Sequence, residues 1–262
     1  MPAAEVNGIR LYYEEQGEAA PIACIHGTGS SALAWADAIE ELARLGRVIA
    51  YDRRGCTRSE RPEPYERTSV AEHADDAAAL LDALAAAPAV VVGRSYGGEV
   101  AIDLALRYPD RVRALALLEG AALELSPAAA EWAHALADRI HEVAAQAGVD
   151  AVGKAFIGEV LGESAWRSLP DQLRRMFTQN GPAILAEVQG EGLNADAAAL
   201  ATIDQPVLLV AATDSPPEFR EATEGMADAL PNARTALVSG GHLINPADPE
   251  VLAFIAEVLE NR

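Results

Sequence analysis

Short apolar runs alternate along this chain with segments that have helical periodicity. The apolar runs lie at 21–25, 47–51, 88–92, 114–118, 206–211 and 234–238. Helical patterns lie at 31–45, 69–87, 97–107, 218–230 and 248–261. Because parallel strands need a crossover between them, this order predicts an α/β fold with a mostly parallel sheet and helices on both faces. A segment with alternating aromatic residues at 9–15 predicts a further strand at the sheet edge.

The alternation stops between residues 123 and 202. That stretch has no strand candidate, and Pro and Gly residues divide it into helix-sized pieces. A length of 262 residues suits one large α/β domain. We therefore predict a core of residues 1–122 and 203–262 with a helical cap, 123–202, inserted between two strands.

The charge balance argues against two classes of partner. Forty Asp and Glu residues against twenty Lys and Arg residues give a net charge of -20. Such a surface repels nucleic acid and anionic membranes. The sequence also contains neither a secretory signal nor an apolar stretch of about 20 residues. We expect a cytoplasmic protein with a small-molecule substrate, and the sequence does not indicate its oligomeric state.

The two cysteines indicate neither a disulfide framework nor a metal site. Cys24 lies in an apolar run and is expected to be buried, whereas Cys56 lies in a loop and is expected to be exposed. No cluster of His, Asp and Glu has metal-ligand spacing, and no glycine-rich loop has the pattern of a phosphate site. We expect no metal and no cofactor.

A G-x-S-x-G motif, Gly93-Arg94-Ser95-Tyr96-Gly97, lies between an apolar run and a helical pattern. A serine on such a strand-to-helix turn projects above the sheet, and the flanking glycines avoid clashes. The helix that follows also presents its partly positive N-terminus to a developing oxyanion. The motif predicts a nucleophile at Ser95; the alternative is a glycine-rich turn with a bystander serine.

A second loop, His26-Gly27-Thr28-Gly29, follows the run at 21–25. Its small residues would let the backbone N–H of Thr28 join that of Tyr96 in an oxyanion hole, with Gly27 beside the substrate. The alternative is a plain turn. His26 itself is expected to pack beneath the loop.

Of the five histidines, His242 is the candidate general base. It follows the last apolar run, and Gly240 and Gly241 precede it. Loops at strand ends gather the active site in a sheet of this kind. His73, His134 and His141 lie in helical patterns, where solvent-facing or packing roles are expected.

Together these segments resemble the α/β-hydrolase superfamily over nearly the whole chain. The segments that carry the resemblance are His26-Gly27-Thr28-Gly29, Asp52-Arg53-Arg54-Gly55, Gly93-Arg94-Ser95-Tyr96-Gly97-Gly98, Tyr108-Pro109-Asp110-Arg111-Val112 and Gly241-His242. The resemblance implies a hydrolase with a Ser-acid-His order along the chain. It also implies that the Asp52–Gly55 segment is a structural loop.

The acid of the triad has two candidates, each just past an apolar run. Asp214 lies near the superfamily's usual acid position, but counting from Pro206 places that position on Ser215. Glu119 follows the strand after the nucleophile helix, where some subgroups place the acid. We favour Glu119 and retain Asp214 as the alternative; either would orient His242.

A weaker resemblance links the chain to the fungal zearalenone lactonases. It rests on an acid after the same strand, the Ala211-Ala212-Thr213 loop and two short segments, 163–166 and 180–182. It makes a lactone a possible substrate beside a simple ester. Cofactor-free C–C hydrolases, lyases, perhydrolases and non-catalytic binding proteins remain the alternatives on this fold.

Three further side chains have expected roles. Trp132 and Trp166 would either line a hydrophobic substrate pocket or pack the helices of the cap onto the core. Arg94, beside the nucleophile, is expected to pair with Glu99 or with acids of the cap, the alternative being contact with a carboxylate-bearing substrate.

Overall fold

A computed structural model describes residues 2–260 and contains one eight-stranded sheet within that range. The strand order is β1-β2-β4-β3-β5-β6-β7-β8. In chain order the strands are β1 Ala3–Val6, β2 Ile9–Gln16, β3 Pro21–Ile25, β4 Arg47–Tyr51, β5 Ala89–Arg94, β6 Val112–Leu118, β7 Val207–Ala212 and β8 Ala233–Val238. β1 and β2 pair antiparallel with their neighbours, and all other pairs are parallel. The predicted α/β class is confirmed.

Helices cover both faces of the sheet. They are α1 Ile39–Ala43, α2 Val70–Ala83, α3 Tyr96–Arg107, α4 Pro127–Ala147, α5 Val152–Leu161, α6 Glu163–Ser168, α7 Asp171–Gln179, α8 Gly181–Val188, α9 Ala197–Leu200, α10 Pro217–Ala229 and α11 Pro249–Glu260. Short 3-10 turns lie at Ala32–Trp35, Pro109–Arg111, Leu123–Leu125 and Val149–Ala151. The predicted helix at 31–45 is therefore a 3-10 turn followed by α1.

Successive strand residues alternate between two apolar layers. In β5, Val91 packs with α2 and α3, whereas Val90 and Val92 pack with α1 and α11. A strand covered on both faces needs apolar residues at every position, which explains the uninterrupted apolar runs in the sequence.

Two expectations about exposure were wrong. β2 is not an edge strand, because β1 pairs along its outer side. The sequence did not predict β1, since only one of its residues, Val6, is buried and no alternation of apolar and polar residues marks the strand. Cys56 is fully buried. Its loop folds back through backbone bonds from Cys56 N to Arg53 O and from Ser59 N to Cys56 O, and this turn encloses the thiol.

The stretch between β6 and β7 is helical, as predicted, and contains α4 to α9. Asn180, almost fully buried before α8, ties this stretch to the loop after β3. Its side-chain amide donates to Gly29 O at 2.9 Å and to Ser30 O at 2.8 Å. Residues 123–202 are therefore anchored directly above the loop that was expected to contact substrate.

No helix within residues 2–260 combines the length and apolar character that a bilayer crossing requires.

Candidate active site

Ser95 lies in the turn between β5 and α3, with φ 52° and ψ -125°. A non-glycine residue pays a conformational cost in this left-handed region, so surrounding contacts must hold it there. Its N–H donates to Leu118 O at 3.1 Å, and its carbonyl accepts from Gly98 N at 2.7 Å and Ala121 N at 3.1 Å. Both neighbouring segments therefore fix the backbone of the serine.

The glycines of the motif permit close backbone approach. A Cβ on Gly97 would lie 2.1 Å from Ile25 O, and one on Gly98 would lie 2.5 Å from the Cα of Gly120. Neither contact can relax through a flexible side chain. The motif thus requires glycine where α3 crosses the ends of β3 and β6.

Glu119 lies directly beside His242. The Nδ1–H of His242 donates to Glu119 Oε2 at 2.6 Å, and both side chains are buried. Oε2 also accepts from Ser215 Oγ at 2.7 Å, while Oε1 accepts from Ala212 N at 2.8 Å. Glu119 has a φ of 46°, a second left-handed non-glycine residue at the site. Three donors therefore hold this carboxylate in one orientation against the imidazole.

Asp214, the alternative acid, is exposed and does not contact His242. Its N–H donates to Gly240 O at 2.8 Å, and its carboxylate accepts from Thr213 Oγ1 at 3.0 Å. The next residue, Ser215, donates to the same Glu119 oxygen that accepts from the imidazole. The structure thus brings Glu119, and not Asp214, to His242.

Phe219, which sequence reasoning missed, stacks on the imidazole. Its ring centroid lies 3.9 Å from that of His242 at an interplanar angle of 29°. Trp132 packs edge-on against Phe219, with centroids 5.4 Å apart. Phe219 lies on α10 without a distinguishing motif, so only the tertiary contact reveals it. The aromatic pair restricts the orientation of the imidazole from the side of the helical stretch.

The loop after β3 approaches the serine closely. A Cβ on Gly27 would lie 3.1 Å from the Cβ of Ser95, so a larger residue here would crowd the serine. Thr28 and Tyr96 border the same cavity as Ser95. Because the first N–H groups of a helix lack intrahelical acceptors, the N–H of Tyr96 is free to serve a ligand.

His26 supports this loop from beneath, as expected. It is fully buried; Nδ1–H donates to Gly27 O at 2.8 Å, and Nε2 accepts from Arg53 N at 2.9 Å. Burial and the Arg53 cation lower the pKa of His26 well below 6.5. The guanidinium of Arg53 also donates to His26 O and Gly27 O, which gives this arginine the structural role implied by the resemblance.

Arg94 does not pair with Glu99, so that expectation was wrong. Its Nη2 donates to Ile244 O at 2.5 Å, and its guanidinium carbon lies 4.9 Å from the ring centroid of Trp35. Because side chains alternate along β5, Arg94 lies on the same face of the sheet as Val92. Glu99 belongs to α3, which covers the other face. Burial lowers the pKa of Arg94 to about 10. This cation instead ties the end of β5 to the loop that carries His242.

A cavity of about 310 Å³ lies between the sheet end and the helical stretch. Ser95, Thr28 and Tyr96 form its floor, and aromatic and aliphatic side chains, including Trp132 and Phe219, form one wall. A smaller cavity of about 40 Å³ is lined by Gly27, Ser95 and His242. Nucleophile and imidazole therefore border a common space.

Trp166 lines neither of these cavities. It packs instead in an apolar cluster with Ile157, Met176 and Phe177. Of the two tryptophans considered for either pocket lining or packing, Trp132 lines the larger cavity and Trp166 packs. Within residues 2–260, no group of three His, Cys, Asp or Glu side chains has an arrangement that could hold a metal ion.

Residues 20–249 match the family model described as alpha/beta hydrolase fold, and the chain belongs to that family. It shares 42% identity over 119 residues with the 2-hydroxymuconate semialdehyde hydrolase of Pseudomonas sp. (strain CF600). That match covers 44% of this chain and 41% of the relative, so the chain spans less than half the length of the curated relatives that it matches first.

Two solved structures match along nearly the entire chain. A thermophilic esterase from Thermogutta terrifontis has a TM-score of 0.78 and 28% identity, and the match covers 99% of this chain and 97% of the esterase. The enol-lactonase from Burkholderia xenovorans LB400 has a TM-score of 0.74 and 25% identity, with 99% and 98% covered. The relatives and structures named here are hydrolases.

Proposed function

We propose that this protein is a serine hydrolase that cleaves a carboxylic ester or a lactone through an acyl-enzyme. The observation that carries the proposal is one constellation. A serine held in a left-handed turn borders the same cavity as His242, whose imidazole is bonded from behind by the buried Glu119. A nucleophile, a base and a group that orients the base are the parts that acyl transfer requires.

In the proposed first step, Nε2 of His242 takes the proton of Ser95 Oγ, and Oγ attacks the substrate carbonyl. The donor bond from Nδ1–H to Glu119 leaves Nε2 as the basic nitrogen and stabilises the imidazolium that forms. The imidazolium then protonates the departing alcohol. Water, deprotonated by the same nitrogen, releases the acyl group and regenerates the serine.

The tetrahedral oxyanion would accept hydrogen bonds from the N–H groups of Thr28 and Tyr96. The close approach of Gly27 to Ser95 supports this assignment, because it sets the next backbone N–H beside the reacting atom. The N-terminus of α3 adds a partial positive charge there. Preorganised donors of this kind contribute about 3–4 kcal/mol each to lowering the barrier.

The similar structures support ester or lactone substrates, since the esterase and the enol-lactonase align along nearly the whole chain. We assign residues 123–202 as a cap whose walls select the substrate, with Trp132 as its cavity-lining aromatic residue. The resemblance to zearalenone lactonases extends the proposal to macrocyclic lactones as compounds to test.

A second candidate is hydrolysis of a carbon–carbon bond. It is favoured by the 42% identity to the 2-hydroxymuconate semialdehyde hydrolase, which covers 44% of this chain. Such a reaction would use the same serine, imidazole and oxyanion donors. The two candidates therefore differ in substrate and not in machinery.

The test compares wild type, Ser95→Ala and the exposed control Ser164→Ala on a p-nitrophenyl ester and on 2-hydroxymuconate semialdehyde. We expect wild type and the control to release p-nitrophenol, and Ser95→Ala to lose at least about 10³-fold in kcat. Turnover of the semialdehyde alone would favour the second candidate. Equal ester turnover by wild type and Ser95→Ala would refute the role of the serine.

A further inference from the structure

One end of the 310 Å³ cavity is acidic, in contrast to its aromatic wall. Three carboxylates, Glu99, Glu124 and Glu187, line it together with the side chain of Tyr96. Within residues 2–260, the guanidinium that pairs with these acids is that of Arg53, which bonds Glu187 at 2.8 Å. Carboxylates therefore outnumber the cation at this end of the cavity.

Glu187 holds an oxygen that the protein does not satisfy. Oε1 accepts from Arg53, whereas Oε2 is buried and has no hydrogen-bond partner among the described residues. Its side chain is only 2% exposed. The buried hydroxyl of Tyr96 is likewise without a partner in that range. Buried polar atoms normally find partners, so these two mark a place where a ligand can supply them.

Glu99 adds a second buried carboxyl group one helical turn beyond Ser95. Its Oε2 accepts from Leu193 N at 3.1 Å. Burial, and then the nearby Glu124, raise the pKa of Glu99 well above 4.5. The carboxyl groups of Glu99 and Glu124 both lie beside Gly192, where a Cβ would be 3.5 Å from Glu124 Oε1 and 3.7 Å from Glu99 Oε2. Both acids thus face the same space.

We propose that this end of the cavity binds a protonated primary amine carried on an apolar stem, as a part of the substrate away from the reacting carbonyl. The ammonium would donate to Glu187 Oε2, to Glu99 and to the hydroxyl of Tyr96, three acceptors that suit its three N–H groups. The stem would lie along Trp132, Phe156 and Phe219 on the apolar wall. This assignment rests on the proposed function for its link to turnover.

The charge pattern sets the preference among ligand groups. A carboxylate would face Glu124 and Glu187 and be repelled. A hydroxyl could donate to one of the acceptors, but it would bring no positive charge to balance the carboxylates. Other titratable groups nearby are His134, exposed on the wall, and His73, whose ring packs edge-on against Tyr96. Burial and the cations of Arg53 and Arg54 lower the pKa of His73 well below 6.5, so it adds no competing cation.

The test measures binding without turnover, so its outcome does not depend on the proposed reaction. Calorimetric titrations of folded wild type and Ser95→Ala would use hexylammonium, hexanol and hexanoate as matched probes. We expect hexylammonium to bind at least about tenfold more tightly than the other two in both proteins. Equal or stronger binding of hexanol or hexanoate would overturn the proposal.

Substitution of the acidic residues tests where hexylammonium binds. We expect Glu99→Gln to weaken hexylammonium about tenfold, and Glu124→Gln, at an exposed position that does not risk the fold, to weaken it severalfold. Glu40→Gln removes the same charge from the surface of α1 and should change nothing. Unaltered affinity in both Glu99→Gln and Glu124→Gln would contradict the assignment. If ester turnover is absent but these shifts are seen, the proposed function fails and the amine site stands.

Discussion

Glu119 and His242 are joined by a 2.6 Å hydrogen bond between groups that lie 123 residues apart in the chain. The oxygen that accepts from the imidazole also accepts from Ser215, and the other oxygen accepts from the backbone of β7. The carboxylate therefore sits at the junction of β6, β7 and the last loop. It connects the three segments whose register places His242 at the cavity that Ser95 also borders.

Replacing Glu119 should remove most of the activity. Glu119→Gln presents an amide to Nδ1, so the imidazole loses the group that selects its tautomer and stabilises its cation. We expect kcat to fall about 10³–10⁴-fold in steady-state ester hydrolysis. Asp214→Asn, in the exposed loop, is the matched control and should stay within about twofold of wild type. The reverse pattern would assign the acid to Asp214.

Ser215 should contribute through Glu119 alone. Ser215→Ala removes the 2.7 Å bond to Oε2, so the carboxylate gains freedom to rotate away from His242. We expect a loss of about five- to tenfold in kcat with little change in KM, consistent with about 1 kcal/mol for one hydrogen bond. Thr202→Val, which breaks one exposed hydrogen bond to Ala199 O, should leave kcat unchanged. If both variants behave alike, the Ser215 bond does not position the acid.

Arg94 should position the loop of His242. Arg94→Met keeps an apolar side chain at this position but removes the guanidinium, which lies over the Trp35 ring and donates to Ile244 O. We expect kcat to fall about tenfold while KM and the urea midpoint change little, because the imidazole loses its placement and the core keeps its packing. A fall in the urea midpoint with unchanged kcat would show a purely structural role.

The stability of the protein should depend on pH through Glu99. Its pKa is raised in the folded state, so below its usual value of 4.5 the carboxyl group is neutral in both states. As the pH rises above 4.5, the unfolded chain loses the proton first, and folding stability declines until the folded pKa is passed. Glu99→Gln cannot ionise, so its advantage in unfolding free energy over wild type should grow with pH.

Urea denaturation of wild type and Glu99→Gln at about pH 5 and about pH 8 checks this sign. Glu40→Gln, at an exposed position, should show a constant difference from wild type at both values. If the gain in unfolding free energy of Glu99→Gln over wild type shrinks towards high pH, the pKa of Glu99 is not raised in the folded protein.

Local patterns in the sequence were sufficient to predict most of the sheet and to single out two residues of the candidate site. The apolar runs predicted the parallel strands because burial on both faces demands apolar residues at every position. Ser95 was predictable because the strained turn needs glycine at fixed offsets, and His242 because it follows the last strand. These signals are local, so one sequence carries them.

The rest depended on contacts between distant segments. The choice between Glu119 and Asp214 depends on which side chain reaches an imidazole in another loop. Counting residues along β7 could not decide between the two acids. The wrong partner for Arg94 came from ignoring the alternation of β5, and Phe219, Glu99 and Glu187 carry no motif. Cys56 was placed outside because nothing in its loop indicates the turn that encloses it.

The most direct test of the central claim is reaction with a fluorophosphonate, followed by peptide mass spectrometry and residual ester hydrolysis. The account predicts a single phosphonyl adduct on Ser95, loss of activity in step with labelling, slower labelling of Glu119→Gln and none of Ser95→Ala. Labelling at another residue, or retention of ester hydrolysis by protein fully labelled at Ser95, would contradict it.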